Sequence, residues 1–218
     1  MKATPANSSN ALLMFDFDGV IADSLDHQCR AYIETLRARG YDELATAEQF
    51  LTFTEDNWSA ALDRVGLSAR VVGDLEDAFA ALPCPELFPG MAAVLERLAT
   101  THPVVVITSG RTDTVERILD EHGVRGVSEV IGGDQEPSKM LKIDAVRHRL
   151  GCALPGWYVG DTVGDIVEAR AAGAGTVAVD WGWHSPERLR CAAPDHVAHT
   201  PADLLELFHC EAVLDCTR

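Results

Sequence analysis

Lysine is nearly absent: the 218 residues hold three, at positions 2, 139 and 142. Lys and Arg total 18 against 34 Asp and Glu, a formal charge of −16. Such a chain lacks the clustered cations that clamp a nucleic-acid backbone, and an anionic membrane surface repels it. An anionic ligand is then held only in a locally positive pocket or through a metal ion. No apolar run approaches the ~20 residues of a membrane span. The early run Ala11–Phe15 is too short for the core of a secretory leader and ends on an acid. The six cysteines, Cys29, Cys84, Cys152, Cys191, Cys210 and Cys216, include no Cys-x-x-Cys pair. That spacing fits neither a zinc site nor a small disulfide framework, and it predicts reduced structural thiols in a cytoplasmic protein.

What is present is ordinary core-forming material, 47% hydrophobic and 24% charged residues, in a length that suits one domain with an insert. Residues 1–10 are polar and read as a disordered tail. Ala11–Phe17 reads as a buried strand. From Asp23 to about Phe88 the periodicity turns helical: Leu25, Cys29, Tyr32, Ile33 and Leu36 recur at three- and four-residue spacing, and Gly40 stands where that helix stops. Further helices are predicted at 46–53, 56–66 and 69–81, before Pro83, Pro85 and Pro89-Gly90 interrupt the chain.

Beyond that point short apolar strands alternate with helices. Strands are predicted at 104–108, 127–131, 157–159 and 176–179. Helices are predicted at 91–100, 112–122, 139–150, 163–172, from Ser185-Pro186-Glu187 onward, and at 201–213. This alternation means right-handed βαβ crossovers. The predicted fold is α/β, a doubly wound, Rossmann-like parallel sheet built from 11–22 and 89–218, with an all-helical domain inserted at 23–88.

Three sequences close predicted strands on polar residues. Asp16-Phe17-Asp18-Gly19-Val20 ends the first, and its carboxylates at i and i+2 point the same way from an extended chain. Thr108-Ser109-Gly110 ends the strand at 104–108. Gly160-Asp161-Thr162-Val163-Gly164-Asp165 follows the strand at 157–159, with Asp165 one turn into a helix. In an open parallel sheet, ligands bind beyond the carboxyl ends of strands where the winding reverses. If the first strand and the 157–159 strand adjoin there, Asp16, Asp18, Asp161 and Asp165 converge, and a cation must relieve their repulsion. Oxygen-only ligands favour Mg²⁺ over zinc. Side chains of residues 16 and 161 more than about 10 Å apart would exclude a shared ion, whose ligand bonds are roughly 2.0–2.1 Å. Lys139, starting a helix, is placed to counter the remaining charge.

The order and spacing of Asp16-x-Asp18-Gly19-Val20, Thr108, Lys139 and Gly160-Asp161-x-x-x-Asp165 resemble the four motifs of the haloacid dehalogenase (HAD) superfamily. The likeness spans residues 11–180. The helical insert and Phe88-Pro89-Gly90 resemble the branch of phosphoglycolate phosphatase-like and β-phosphoglucomutase-like proteins with a small cap. The resemblance implies a Mg²⁺-dependent phosphatase acting on small phosphorylated metabolites. Asp16 would be the nucleophile that forms an aspartyl-phosphate. Asp18 would act as acid and base, with its backbone carbonyl on the metal. Asp161 would bind the metal directly, with Asp165 binding or orienting beside it. Thr108, Ser109, Gly110 and Lys139 would hold the phosphoryl group.

Several readings stay open. Lys142 rivals Lys139, because the Lys-Pro common in relatives is missing, and Ser109 rivals Thr108. Asp16-x-Asp18-Gly19 also has the look of a calcium loop, but His27 occupies the twelfth position and a buried strand precedes it. Trp181, Trp183 and His184 read as packing, with substrate contact the alternative. The acid-rich segment from Asp42 to Asp56 reads as a solvated face. The arginines of the insert, Arg30, Arg37, Arg39, Arg64 and Arg70, fall mostly at helical positions facing water. Asp18 argues for phosphoryl transfer over carbon–halogen cleavage, and the lack of lysine in 23–88 excludes a Schiff-base cap. A sugar-phosphate mutase and, further off, a catalytically silent binding domain are the alternatives. Oligomeric state is not legible.

Overall fold

Leu12 to Phe15 is a run without a polar residue because both of its faces are covered. In a computed structural model that describes residues 10–150 and 155–208, alternate side chains of this strand enter two different cores. Leu13 and Phe15 join one apolar cluster with Met91, Leu95, Val104, Val106, Ile118 and Leu204. Leu12 and Met14 join another with Val105, Ile107, Ile143, Val146 and Tyr158. This period-two division is the geometry of a strand sandwiched between helical layers.

The elements run β1 (Leu12–Phe15), α1 (Leu25–Ala38), α2 (Ala47–Phe53), α3 (Trp58–Arg64), α4 (Ala69–Ala80), α5 (Met91–Ala99), β2 (Val104–Ile107), α6 (Thr112–Glu121), β3 (Val127–Ile131), α7 (Lys139–Arg149), β4 (Gly156–Gly160), α8 (Val163–Ala171), β5 (Gly175–Val179), α9 (Pro186–Ala192), β6 (His196–Ala198) and α10 (Pro201–Phe208). The strands form one sheet in the order β3-β2-β1-β4-β5-β6, and every pairing is parallel. The chain winds outward from β1 to β3, then restarts at β4 on the other side of β1. The switch point therefore lies between β1 and β4, with Phe15 opposite Val159 and the Asp16 N–H donating to the Val159 carbonyl at 2.9 Å.

The alternating pattern appears as predicted, with one addition. The sixth strand, β6, is three residues long and pairs only with β5, too little chain to show a period. The helix predicted at 201–213 is described to Phe208. The rest of it, residues 1–9, Cys152, Cys210 and Cys216 lie outside the described residues. Cys29, Cys84 and Cys191 are unpaired. Among the described residues no helix is long and apolar enough to cross a membrane.

Between β1 and α5 the chain builds the helical block α1–α4. It leaves and re-enters the sheet layer through paired segments: Asp23 N–H donates to the Glu86 carbonyl, and Phe88 N–H to that of Ile21. The block has its own apolar centre, with Tyr32, Leu36, Phe50, Phe53, Leu62 and Leu75. Its capping residues are the short polar ones that favour helix starts. Thr46, Asn57 and Ser68 each accept from the backbone N–H three residues on. The block sits over the carboxyl ends of the strands. Gly164 N–H at the start of α8 donates to the Thr54 carbonyl at 3.2 Å, and Asn57 Nδ2 donates to that of Pro137 at 3.0 Å.

Candidate active site

Asp16 and Asp161 each follow the last residue of a central strand, so the switch point brings the two carboxylates together. Carboxylate oxygens of Asp16, Asp161 and Asp165 lie within 4.8 Å of one another, and all three residues are buried. The two acids are thus close enough to share one ion. Gly19 makes this packing possible. Its φ is +77°, and a Cβ there would run into Asp161 Oδ2, so both backbone conformation and space call for glycine.

Each carboxylate has a different set of partners. Asp16 Oδ1 accepts from the Phe17 N–H at 2.8 Å, and Oδ2 accepts from Lys139 Nζ at 2.7 Å. Asp165 is saturated: Oδ1 accepts from Lys139 Nζ at 2.6 Å, while Oδ2 accepts from Asp161 N–H, Thr162 N–H and Thr162 Oγ1–H. Thr162 and Asp165 form a reciprocal capping box at the start of α8, which fixes the loop carrying Asp161. Asp161 Oδ2 accepts from the Trp183 N–H at 2.7 Å. Asp161 Oδ1 is buried and has no partner among the described residues. A bare, buried carboxylate oxygen is costly. Burial first, then Asp165 and Asp16, hold the Asp161 carboxyl well above its ordinary range. Burial also raises Asp16, against the pull of Lys139. Both shifts come from burial first, with repulsion among the carboxylates added and Lys139 opposing. The donor set, three hard oxygens with one left bare, suits a divalent cation such as Mg²⁺.

Asp18 points into the opening beyond this cluster and is only partly buried. Its Oδ1 accepts from Gln28 Nε2, on α1, at 2.5 Å. Burial raises the Asp18 carboxyl, with hydrogen bonds from Ser24 and Gln28 opposing. Thr108 is buried, with Oγ1 accepting from the Gly110 N–H at 3.0 Å, while Ser109 is exposed. Asp16, Asp18, Thr108, Ser109, Gly110, Lys139 and Asp165 all line one cavity of about 250 Å³ between the sheet and the helical block. Asp161 lies beneath its floor, fully buried.

The two lysines of α7 separate by geometry. Lys139 bridges two carboxylates of the site. Lys142, equally buried, donates to the Thr108 carbonyl at 2.6 Å and so braces the backbone at the end of β2. Burial, then the Lys139 charge, push Lys142 down to about 8 from 10.5. Between those pH values the unfolded chain holds a proton on residue 142 that the folded chain lacks, so stability rises with pH there. Lys142→Met is expected to flatten that rise by about 2–3 kcal/mol, read from urea midpoints at pH 7.5 and 10. An unchanged wild-type slope in the variant would refute it.

Two contributors were not assigned to the site from the sequence. Gln28 falls on α1 with nothing in its spacing to link it to Asp18. Trp183 packs against Phe50, with ring centroids 5.2 Å apart, and it also donates its backbone N–H to Asp161 and lines the cavity. None of Arg30, Arg37, Arg39, Arg64 and Arg70 lines it.

Residues 13–179 match the family of haloacid dehalogenase-like hydrolases. A phosphoglycolate phosphatase from Synechococcus elongatus is 30% identical over 209 residues, spanning 89% of this chain and 95% of that protein. One from Vibrio parahaemolyticus is 25% identical over 218 residues, spanning 90% and 95%. Among solved structures, a haloacid dehalogenase-like family hydrolase from Streptococcus pneumoniae aligns with a TM-score of 0.74 at 24% identity, covering 92% of this chain and 99% of that one. At that identity the likeness speaks for the fold.

Proposed function

This chain belongs to the haloacid dehalogenase-like hydrolase family and is a phosphoric monoester hydrolase of it, and on that premise we propose that it is a Mg²⁺-dependent phosphatase of small metabolites that works through an aspartyl-phosphate on Asp16. The observation that carries the reading is the cluster at the switch point, where Asp16 and the bare Oδ1 of Asp161 lie side by side. Asp16, the Asp18 carbonyl and Asp161 would hold Mg²⁺, with Asp165, whose oxygens already accept four hydrogen bonds, binding beside them or orienting Lys139. When bound, the ion supplies positive charge to the carboxylates and to the phosphoryl oxygens.

The residues divide the work as follows. One Asp16 oxygen attacks phosphorus while the ester P–O bond breaks, and Asp18 delivers its proton to the departing oxygen. Lys139 keeps Asp16 ionised and aimed, and Thr108 Oγ1–H, with the N–H groups of Ser109 and Gly110, holds phosphoryl oxygens. Asp18, now a carboxylate, takes a proton from water. That water attacks phosphorus, the bond to Asp16 breaks, and inorganic phosphate leaves. The raised proton affinity of Asp18 suits the first step, and its place at the opening suits the second. Helices α1–α4 serve as a cap that excludes bulk water during transfer.

Release of 4-nitrophenol from 4-nitrophenyl phosphate, with and without Mg²⁺, tests the proposal. Turnover should require the cation and stop on chelation. Acid quench and borohydride reduction should convert residue 16 to the corresponding alcohol. Metal-independent turnover, or a label elsewhere, would refute it. The names of the relatives make phosphoglycolate the first natural compound to assay.

A further inference from the structure

The cavity wall opposite Asp16 has a definite chemistry, and it is not that of a second anion site. From the helical block come the rings of Phe50, Trp58 and Phe79, and from the core comes Trp183. They form a continuous face: Phe50 to Trp183 is 5.2 Å, Phe50 to Trp58 5.8 Å and Trp58 to Phe79 6.2 Å between centroids. The charged residues that this block adds to the lining are Asp56 and Glu76, both acidic, with neither Lys nor Arg among the lining residues it supplies. The two arginines that reach the cavity come from the α6 side and are already engaged. Arg111 is bonded to Asp113 at 2.8 Å, and Arg117 to Glu121 at 2.7 Å. Asp56 is paired with Arg64 of the same block, and His27 and Gln28 of α1 also line the cavity, so the cap meets a leaving-group carboxylate with Glu76, an imidazole and the rings, and with neither Lys nor Arg.

We propose that the leaving group of the substrate is a single ring without a second negative charge, packed against the half-buried rings of Trp58, Phe79 and Trp183. This rests on the phosphatase reading and narrows it, away from phosphoglycolate. Rings gain from offset or edge contact with aromatic faces, and the Glu76 carboxylate on the cap wall disfavours a substrate carboxylate. At about 250 Å³ the cavity falls below the ~300–1,000 Å³ of most ligand pockets, which suits one ring rather than a dinucleotide.

The test uses esters of primary alcohols, so that the leaving oxygen stays comparable: benzyl phosphate, its 4-carboxy derivative and 2-phosphoglycolate, all with Mg²⁺-loaded enzyme. Benzyl phosphate is expected to exceed both the 4-carboxy derivative and phosphoglycolate in kcat/KM by about tenfold or more. Glu76→Arg, which places a cation on the cap wall, should narrow both gaps at least about threefold. Phosphoglycolate matching or exceeding benzyl phosphate overturns the inference while leaving the phosphatase reading intact. Phosphate release from none of the esters overturns both readings together.

Discussion

Replacing Asp16 with asparagine is expected to lower kcat by at least about 10⁴-fold, the scale seen when a covalent nucleophile is removed. Asparagine keeps the shape and can still accept from the Phe17 N–H, so the loop between β1 and Gly19 should hold. What it loses is the charge that attacks phosphorus. In metal-free buffer the variant should unfold at nearly the wild-type temperature, because two effects oppose. Burial and the nearby carboxylates disfavour an ionised Asp16, so its removal relieves the cluster. Lys139 loses one partner, yet it keeps Asp165 at 2.6 Å. A loss of activity with an intact melting curve and far-UV spectrum assigns the defect to chemistry. Residual turnover within about a hundredfold of wild type would mean that water, rather than residue 16, attacks the ester. Asp18→Asn serves as the contrasting variant. It keeps the nucleophile and lacks the acid and base, so it should be slow in both half-reactions while residue 16 still takes up the phosphoryl group from a substrate with a good leaving group such as 4-nitrophenol.

The parts of this site that the sequence made legible are those fixed by short-range rules. An acid that follows an unbroken apolar run marks the end of a buried parallel strand, and two such ends, at Asp16 and Asp161, imply a meeting at the switch point once the alternation of strands and helices is recognised. The helical insert was equally plain, because residues 23–88 carry no strand pattern. What stayed hidden depends on side-chain reach. Lys139 and Lys142 are separated by one helical turn and therefore share a face of α7, and both are buried. Only the depth at which each enters decides that one meets carboxylates and the other a carbonyl. Asp165 looks alike as a ligand and as a cap, and the saturation of its oxygens appears only when Thr162, Asp161 and Lys139 are in place. β6 escaped notice because a three-residue edge strand has no period to display. Trp183 was readable as a packing residue, which it is. Its backbone N–H on Asp161 follows from a loop path that no local pattern encodes.

Lys139→Met separates the two lysines by experiment. The Nζ of Lys139 lies 2.7 Å from Asp16 and 2.6 Å from Asp165 inside a cluster that also holds Asp161. Methionine fills the same volume and offers no charge, so the three carboxylates are left to repel one another in a poorly solvated place. Removing one partner of a buried ion pair typically costs about 3–5 kcal/mol, and a loss of that size is expected in metal-free buffer, measured by urea unfolding. Added Mg²⁺ should return much of it, because a cation is then the remaining source of positive charge. The metal-induced rise in melting temperature is therefore expected to be larger in the variant than in the wild type. Catalysis should not be restored with it. On the proposed mechanism Lys139 helps to hold the transferring phosphoryl group, and loss of one such contact costs about 10²–10³ in kcat. Lys142→Met provides the opposite profile. Its ammonium meets the Thr108 carbonyl and no carboxylate of the cluster, so its kcat should stay within about tenfold of wild type, a loss of positioning rather than of charge at the reacting group. If the deeper catalytic loss falls on position 142 and the metal response of Lys139→Met matches wild type, the lysine that neutralises the nucleophile has been misassigned and the roles of the two exchange.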